Sequence, residues 1–233
     1  MLKQISLLIL CAVAIVLFAT PVHACTSAVV SGKVTLDGRP LLWKNRDTDF
    51  MRNHVDYVKG ERYDFIAVVN SANAYLKEAW MGTNSAGFAL MNTQSYNLVD
   101  VKGDEERGAA NGRVIYRALE VCATVEDFCH FLDTISKPSD IEANFGVIDA
   151  QGGAAMFEVD YYKYVMYDAN NPKDAPYGYI ARTNFSFAGK VNEGAGYVRY
   201  MEADQVLMKA SATGKITPQF IFNDLSRSFR NRM

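Results

Sequence analysis

Residues 26–47, "TSAVVSGKVTLDGRPLLWKNRD", place two apolar runs on either side of Asp37-Gly38. An Asp-Gly pair in that setting is a strong hairpin signal, because Gly accepts the positive φ that a tight turn needs. Strands joined by a hairpin run antiparallel. The polar cluster "KNRDTD" that ends the second strand therefore returns to the start of the first, which is Cys25, and the hairpin predicts Asp47 close to that cysteine.

The remaining pattern repeats this logic. "DFIAVVN" (64–70) and "FALMNTQS" (88–95) read as further strands, the second preceded by a turn "GTNSAG" bracketed by Gly82 and Gly87. From Asn111 to Ile135 the apolar spacing becomes helical: Val114, Ile115, Ala118, Leu119 and Cys122 share one face, and Val125, Phe128, Cys129 and Leu132 continue it. Thr124 ahead of "VEDF" has the character of an N-cap, which predicts two helices with a break and places Cys122 and Cys129 in a core. Residues 143–168 read as a β-meander turning at Asp149–Gly153, "YIARTNFSF" (179–187) as a short strand, and 199–209 and 219–230 as helices. Strands, helices, strands and helices joined by hairpins predict an α+β fold with helices packed on antiparallel sheets. No repeat or linker marks a second domain.

At 233 residues with 49% hydrophobic content, the chain can bury one sizeable core. Lys3, the apolar run Ile5–Ala19 and the small-residue site ending at Ala24 have the form of a secretory leader. The expected organisation is a signal peptide over 1–24 and one domain over 25–233, exported to a periplasm or secreted. The apolar run falls short of the roughly 20 residues of a membrane span. Loss of the leader, with Lys3 as its one charged residue besides the terminus, takes the formal charge from −2 to −3. Nucleic acid is therefore not an expected partner, and the oligomeric state is left open.

Cleavage after Ala24 would make Cys25 the first residue and give it a free α-amine. An amine of pKa about 7.7–8.0 can take the proton of a thiol of pKa about 8.5, so nucleophile and base come in one residue. Two other readings compete: a lipid anchor at Cys25, and an inert terminal cysteine. Against the anchor, His23 is bulky for a lipidation site, and strand-like sequence follows Cys25 with no polar tether. Cys25, Cys122 and Cys129 are an odd set beyond the leader, so at least one thiol has no partner within the chain. On one continuous helix Cys122 and Cys129 would stand about 10 Å apart, too far for a disulfide. A papain-like Cys–His pair finds no support: His130 follows Cys129 directly, and His54 reads as part of a polar loop. No closely spaced Cys/His set suggests a metal, and no cofactor is expected.

Taken in order, "CTS", "DGRPLLWKNRD", "GTNSAGFALMNTQS", "ANFGVIDAQGGAAMFEV" and "RTNFSF" resemble the cysteine N-terminal nucleophile (Ntn) hydrolases. The closest groups are the acyl-coenzyme A:6-aminopenicillanic acid acyltransferase-like proteins and the choloylglycine hydrolases, which include bile salt hydrolases and penicillin V acylases. The similarity runs from Cys25 to about Leu207. It implies a four-layer αββα sandwich and hydrolysis or acyl transfer at non-peptide amide bonds of a small-molecule substrate. By position it implies Cys25 as nucleophile, Asp47 as the carboxylate near its amine, Asn92 and Asn184 as oxyanion-site residues, and Arg199 as the arginine beginning a helix near the nucleophile. Fixed amide donors suit an oxyanion at about 2.7–3.1 Å, and Arg199 would counter Asp47 and favour thiolate. Two departures stand out. Choloylglycine hydrolases usually carry Arg where Lys44 stands, while Arg46 adjoins Asp47; and the chain stops soon after its last helix, as in a shortened member. Trp80 and Tyr96 are candidates for an acyl pocket or for core.

Overall fold

The computed structural model describes residues 25–99, 108–214 and 216–228. The expected leader, 1–24, lies outside the described residues. Among the described residues, ten strands form two antiparallel sheets. The smaller contains β1 (Thr26–Val30), β2 (Leu41–Asn45) and β10 (Tyr179–Arg182) in the order β10-β1-β2. The larger runs consecutively through β3 (Asn53–Val58), β4 (Phe65–Asn70), β5 (Met81–Asn84), β6 (Ala89–Gln94), β7 (Ala143–Ile148), β8 (Ala154–Val159) and β9 (Tyr164–Asp168).

Three apolar clusters separate the layers, and strand alternation creates them. In β1, Ala28 and Val30 pack toward α3 (Tyr197–Ser211) with Trp43, Tyr179, Ala203 and Leu207. Val29 points the other way, to Met91, Met156 and Ile180 between the sheets. β1 is thus buried on both faces, as its unbroken apolar run requires. The third cluster joins the outer face of the large sheet to α1 (Asn111–Val121) and α2 (Val125–Thr134). Phe128 sits at its centre, with ring centroids 5.0 Å from Phe157 and 5.9 Å from Phe145. Helix, sheet, sheet and helix are the four layers that the resemblance implies.

Local signals explain the joints. β1 and β2 pair antiparallel, Thr26 with Asn45, but the tight turn expected at Asp37-Gly38 is instead a connection over residues 31–40 that carries a 3-10 turn at Gly32–Val34, with Asp37-Gly38 inside it. Thr124 caps α2 through a reciprocal box: Thr124 Oγ1 accepts from Asp127 N at 3.0 Å, and Asp127 Oδ2 accepts from Thr124 N at 3.1 Å. Gly146 lies where the sheets press together; a Cβ there would meet Met91 Cε at 2.2 Å and Val29 Cγ2 at 2.9 Å.

Several expectations are corrected. His54 is in strand β3, exposed, with Nδ1 3.0 Å from Ser71 Oγ, and not in a loop. β3 escapes the sequence pattern because most of its residues, Val55 and Tyr57 among them, are exposed. Gly82–Asn84 belongs to β5, so the turn is shorter than "GTNSAG"; only Gly87 takes a positive φ, of 83°. Helix α3 begins at Tyr197, which makes Arg199 its third residue. The second helical segment is a short turn at Pro218–Phe220 followed by a π-helical turn at Ile221–Leu225, and residues 229–230 lie outside the described residues. Cys122 and Cys129 are both free thiols. Cys122 is buried in the α1–α2 core, where burial pushes its thiol up to about 12. Cys129 is only partly buried, and burial raises its thiol too.

Candidate active site

Cys25 stands at the head of β1, 8% exposed. The hairpin brings β2 past it, and the Cys25 thiol donates to the Asp47 carbonyl with Sγ···O 3.6 Å. The Asp47 side chain itself is exposed, on the wall of a cavity of about 350 Å³. Cys25, Lys44, Arg46, Trp80, Asn92 and Tyr96 share that wall with Thr48, Phe50, Gln94 and Gly108.

Lys44 reaches the site from the end of β2, one residue before its last. Its ammonium group donates to the Trp80 carbonyl at 3.0 Å and to Asn92 Oδ1 at 3.1 Å. Asn92 lies one residue past Met91, which pairs with Met81, so the amide sits where β5 begins, next to Trp80. By occupying Oδ1, Lys44 directs the Asn92 Nδ2 donor elsewhere. Burial lowers the Lys44 pKa to about 8, against the Cys25 thiolate, which raises it; Arg46 lowers it further.

Arg46 makes different contacts. Its guanidinium donates to Asn53 Oδ1 and, at 2.8 Å, to Asn70 Oδ1, and it lies over the Trp80 ring at 5.1 Å. Burial lowers its pKa while the Cys25 thiolate opposes that shift.

Arg199 and Asn184 stand behind the cavity wall. Arg199 Nη1 donates to the Cys25 carbonyl and to Thr26 Oγ1 at 3.1 Å; Nη2 donates to Asn184 Oδ1 at 3.0 Å. Asn184, fully buried, donates through Nδ2 to the Gln94 carbonyl at 2.9 Å. It therefore acts here as a strut between Gln94 and Arg199. Burial lowers the Arg199 pKa, and the Cys25 thiolate, Asp47 and Tyr96 raise it. Gly196, at φ 90°, makes the approach possible: a Cβ there would meet Arg199 Nη2 at 2.5 Å.

The structure thus gathers Cys25, Asp47, Asn92, Asn184 and Arg199 into one neighbourhood. It places Asn92 and Asp47 on the cavity and Asn184 and Arg199 behind it. It also brings both basic candidates, Lys44 and Arg46, to the cavity with separate partners. Trp80 and Tyr96 line the cavity. Gln94, Thr48, Phe50 and Gly108 were not singled out in the sequence; Gln94 alternates with Asn92 along β6, and that period of two was the available signal.

Two antiparallel sheets between helical layers, with a cysteine heading the first strand above a cavity, define an Ntn-hydrolase sandwich. The family model described as acyl-coenzyme A:6-aminopenicillanic acid acyl-transferase matches residues 35–209, and the chain belongs to that family. No curated protein matches the chain in sequence. Among solved structures, an N-acylethanolamine-hydrolyzing acid amidase ortholog from Caenorhabditis elegans superposes with TM-score 0.57 at 15% identity, covering 86% of this chain and 89% of its own. A conjugated bile acid hydrolase from Clostridium perfringens gives TM-score 0.51 at 15% identity, covering 87% of this chain and 74% of its own. These likenesses are likenesses of fold. Family membership makes the chain an enzyme of the amidohydrolase and acyltransferase type.

Proposed function

We propose that the protein is an exported cysteine amidase or acyltransferase whose nucleophile is Cys25, acting on linear amides of small molecules. The observation that carries this reading is the placement of Cys25 at the head of β1 on the wall of a 350 Å³ cavity, with the Asn92 amide held on the same wall by Lys44 and the Cys25 carbonyl held by Arg199.

In this reading removal of residues 1–24 frees the Cys25 amine. That amine takes the thiol proton, and Sγ attacks the amide carbonyl carbon. Negative charge forms on the carbonyl oxygen, and the Asn92 Nδ2 donor, held in orientation by Lys44, stabilises it. Collapse breaks the C–N bond, the amine leaves with the proton carried by the Cys25 amine, and a thioester remains on Sγ. Water, or a second amine, then resolves the thioester. Arg199 fixes the Cys25 main chain and Asn184, and so keeps the nucleophile in register with the cavity. Burial of Cys25 against this wall supports a nucleophile over a lipid-anchored cysteine.

The test is turnover of a panel of acylated amines by secreted protein, followed by mass spectrometry, beside Cys25→Ala. Release of amine by the native protein and none by the variant is expected. Equal turnover by both would end the proposal.

A further inference from the structure

We infer that Arg46 is an anchor for a carboxylate on the substrate, so that the preferred amide is anionic. This rests on the reading of the cavity as an amidase site and names the class of molecule it takes.

Arg46 and Arg199 are both partly buried with only neutral acceptors, but Arg199 is committed behind the cavity wall to the Cys25 carbonyl, Thr26 and Asn184, whereas Arg46 lines the cavity. Arg39, Arg113, Arg117 and Arg182 each have a carboxylate oxygen at 2.6, 3.4, 2.5 and 2.6 Å. Among the described residues none stands within salt-bridge distance of Arg46, whose acceptors are the neutral amide oxygens of Asn53 and Asn70. The anion that acts on Arg46 within the protein is the Cys25 thiolate, the reacting group itself, so a carboxylate on the substrate would complete the pairing of this partly buried cation. Lys44 also has only neutral acceptors, but its geometry is committed to Trp80 and Asn92.

The guanidinium is also held in place. Asn53 and Asn70 face one another across β3 and β4 as a register pair, so the two amides grip Arg46 from neighbouring strands. Trp80 supports one face of the guanidinium at 5.1 Å. A guanidinium has five N–H donors, and two are used here. The remainder form part of a rigid fork that suits the two oxygens of a carboxylate. Thr48 Oγ1 accepts from Phe50 N at 3.3 Å, which leaves its hydroxyl hydrogen for a ligand on the same wall.

Trp80, Tyr96 and Phe50 supply the apolar part of the cavity. At 350 Å³ its size suits a small acylated amine, near the lower end of ligand sites. The substrate is then an amide with an aromatic or short aliphatic portion and a carboxylate, carried on either the acyl or the amine fragment.

Matched pairs test this. N-phenylacetylglycine against N-phenylacetylglycinamide places the charge on the amine side; glutaryl anilide against its terminal carboxamide places it on the acyl side. For at least one pair the native protein is expected to favour the acid about tenfold or more in kcat/KM, with the ratio near one in Arg46→Gln and partly restored in Arg46→Lys. Equal use of acid and amide in both pairs, or a preference that survives in Arg46→Gln, would overturn the anchor. Binding reads the anchor without turnover. Calorimetric titration of Cys25→Ala protein with the same acids is expected to give at least tenfold tighter binding than Cys25→Ala/Arg46→Gln, and equal binding would overturn the inference. Arg46-dependent binding without any amide turnover by the native protein would instead refute the amidase reading and keep the anchor.

Discussion

Replacing Lys44 by Met is expected to separate stability from activity. Lys44 has a pKa of about 8 in the folded protein against 10.5 in its ordinary state, chiefly because its ammonium end is enclosed. That difference corresponds to about 3 kcal/mol. Below pH 8 the group is charged in both folded and unfolded chains, and the folded chain bears the full cost of enclosing it. Between pH 8 and 10.5 the folded protein releases the proton while the unfolded chain keeps it. The unfolded state then binds more protons, so stability rises with pH across that window. Lys44→Met lacks this rise. Urea unfolding at intervals from pH 7 to 10.5 should therefore show native protein gaining on the variant from about pH 8 upward, by about 3 kcal/mol over the whole window. At pH 7 the variant should be no less stable than native. Two hydrogen bonds are lost, worth about 1 kcal/mol each, but the enclosed charge goes with them. Activity should fall at least tenfold because Asn92 loses the donor that orients it. Parallel stability curves for the two proteins would refute the burial argument.

Arg199→Met removes donors to the Cys25 carbonyl, Thr26 and Asn184, so kcat should fall by about 100-fold or more, while KM changes little, in steady-state assays. Gly146→Ala forces a methyl group between the sheets against Met91 and Val29 and should destabilise by about 1–3 kcal/mol in denaturant titration. Thr124→Ala dissolves the capping box of α2 and should cost about 1 kcal/mol by the same measurement, without change in kcat, because α2 lies on the face away from the cavity.

Much of the fold could be read from strong local signals. The apolar runs on either side of Asp37-Gly38 announced the antiparallel pair that sets Cys25 beside Asp47, though not the ten-residue connection between them, and Thr124 with Asp127 announced the break between two helices. β3 is hard to read because its alternation is brief, Val55 and Tyr57 about Asp56, and both apolar side chains are exposed, so no buried face marks the strand. The π-helical turn at Ile221–Leu225 has no sequence signature that separates it from an ordinary helix. In the site, the residues on β1 and at the end of β2 were legible, because antiparallel pairing of two adjacent strands returns the end of the second to the start of the first. The division of labour between Lys44 and Arg46 was not, since it depends on Trp80, Asn92, Asn53 and Asn70 meeting from four separate segments. That Asn184 is a strut bound to Arg199 likewise needs the placement of α3 against β10, which no local pattern states.

The central claim is that Cys25, once it is the first residue, carries the acyl group. Secreted, active protein mixed with an amide that it turns over and quenched in acid should give, by intact mass and peptide sequencing, a chain beginning at Cys25 with one acyl group on its sulfur. An active chain that begins at another residue, or an acyl group found elsewhere while Cys25 stays free, would contradict it.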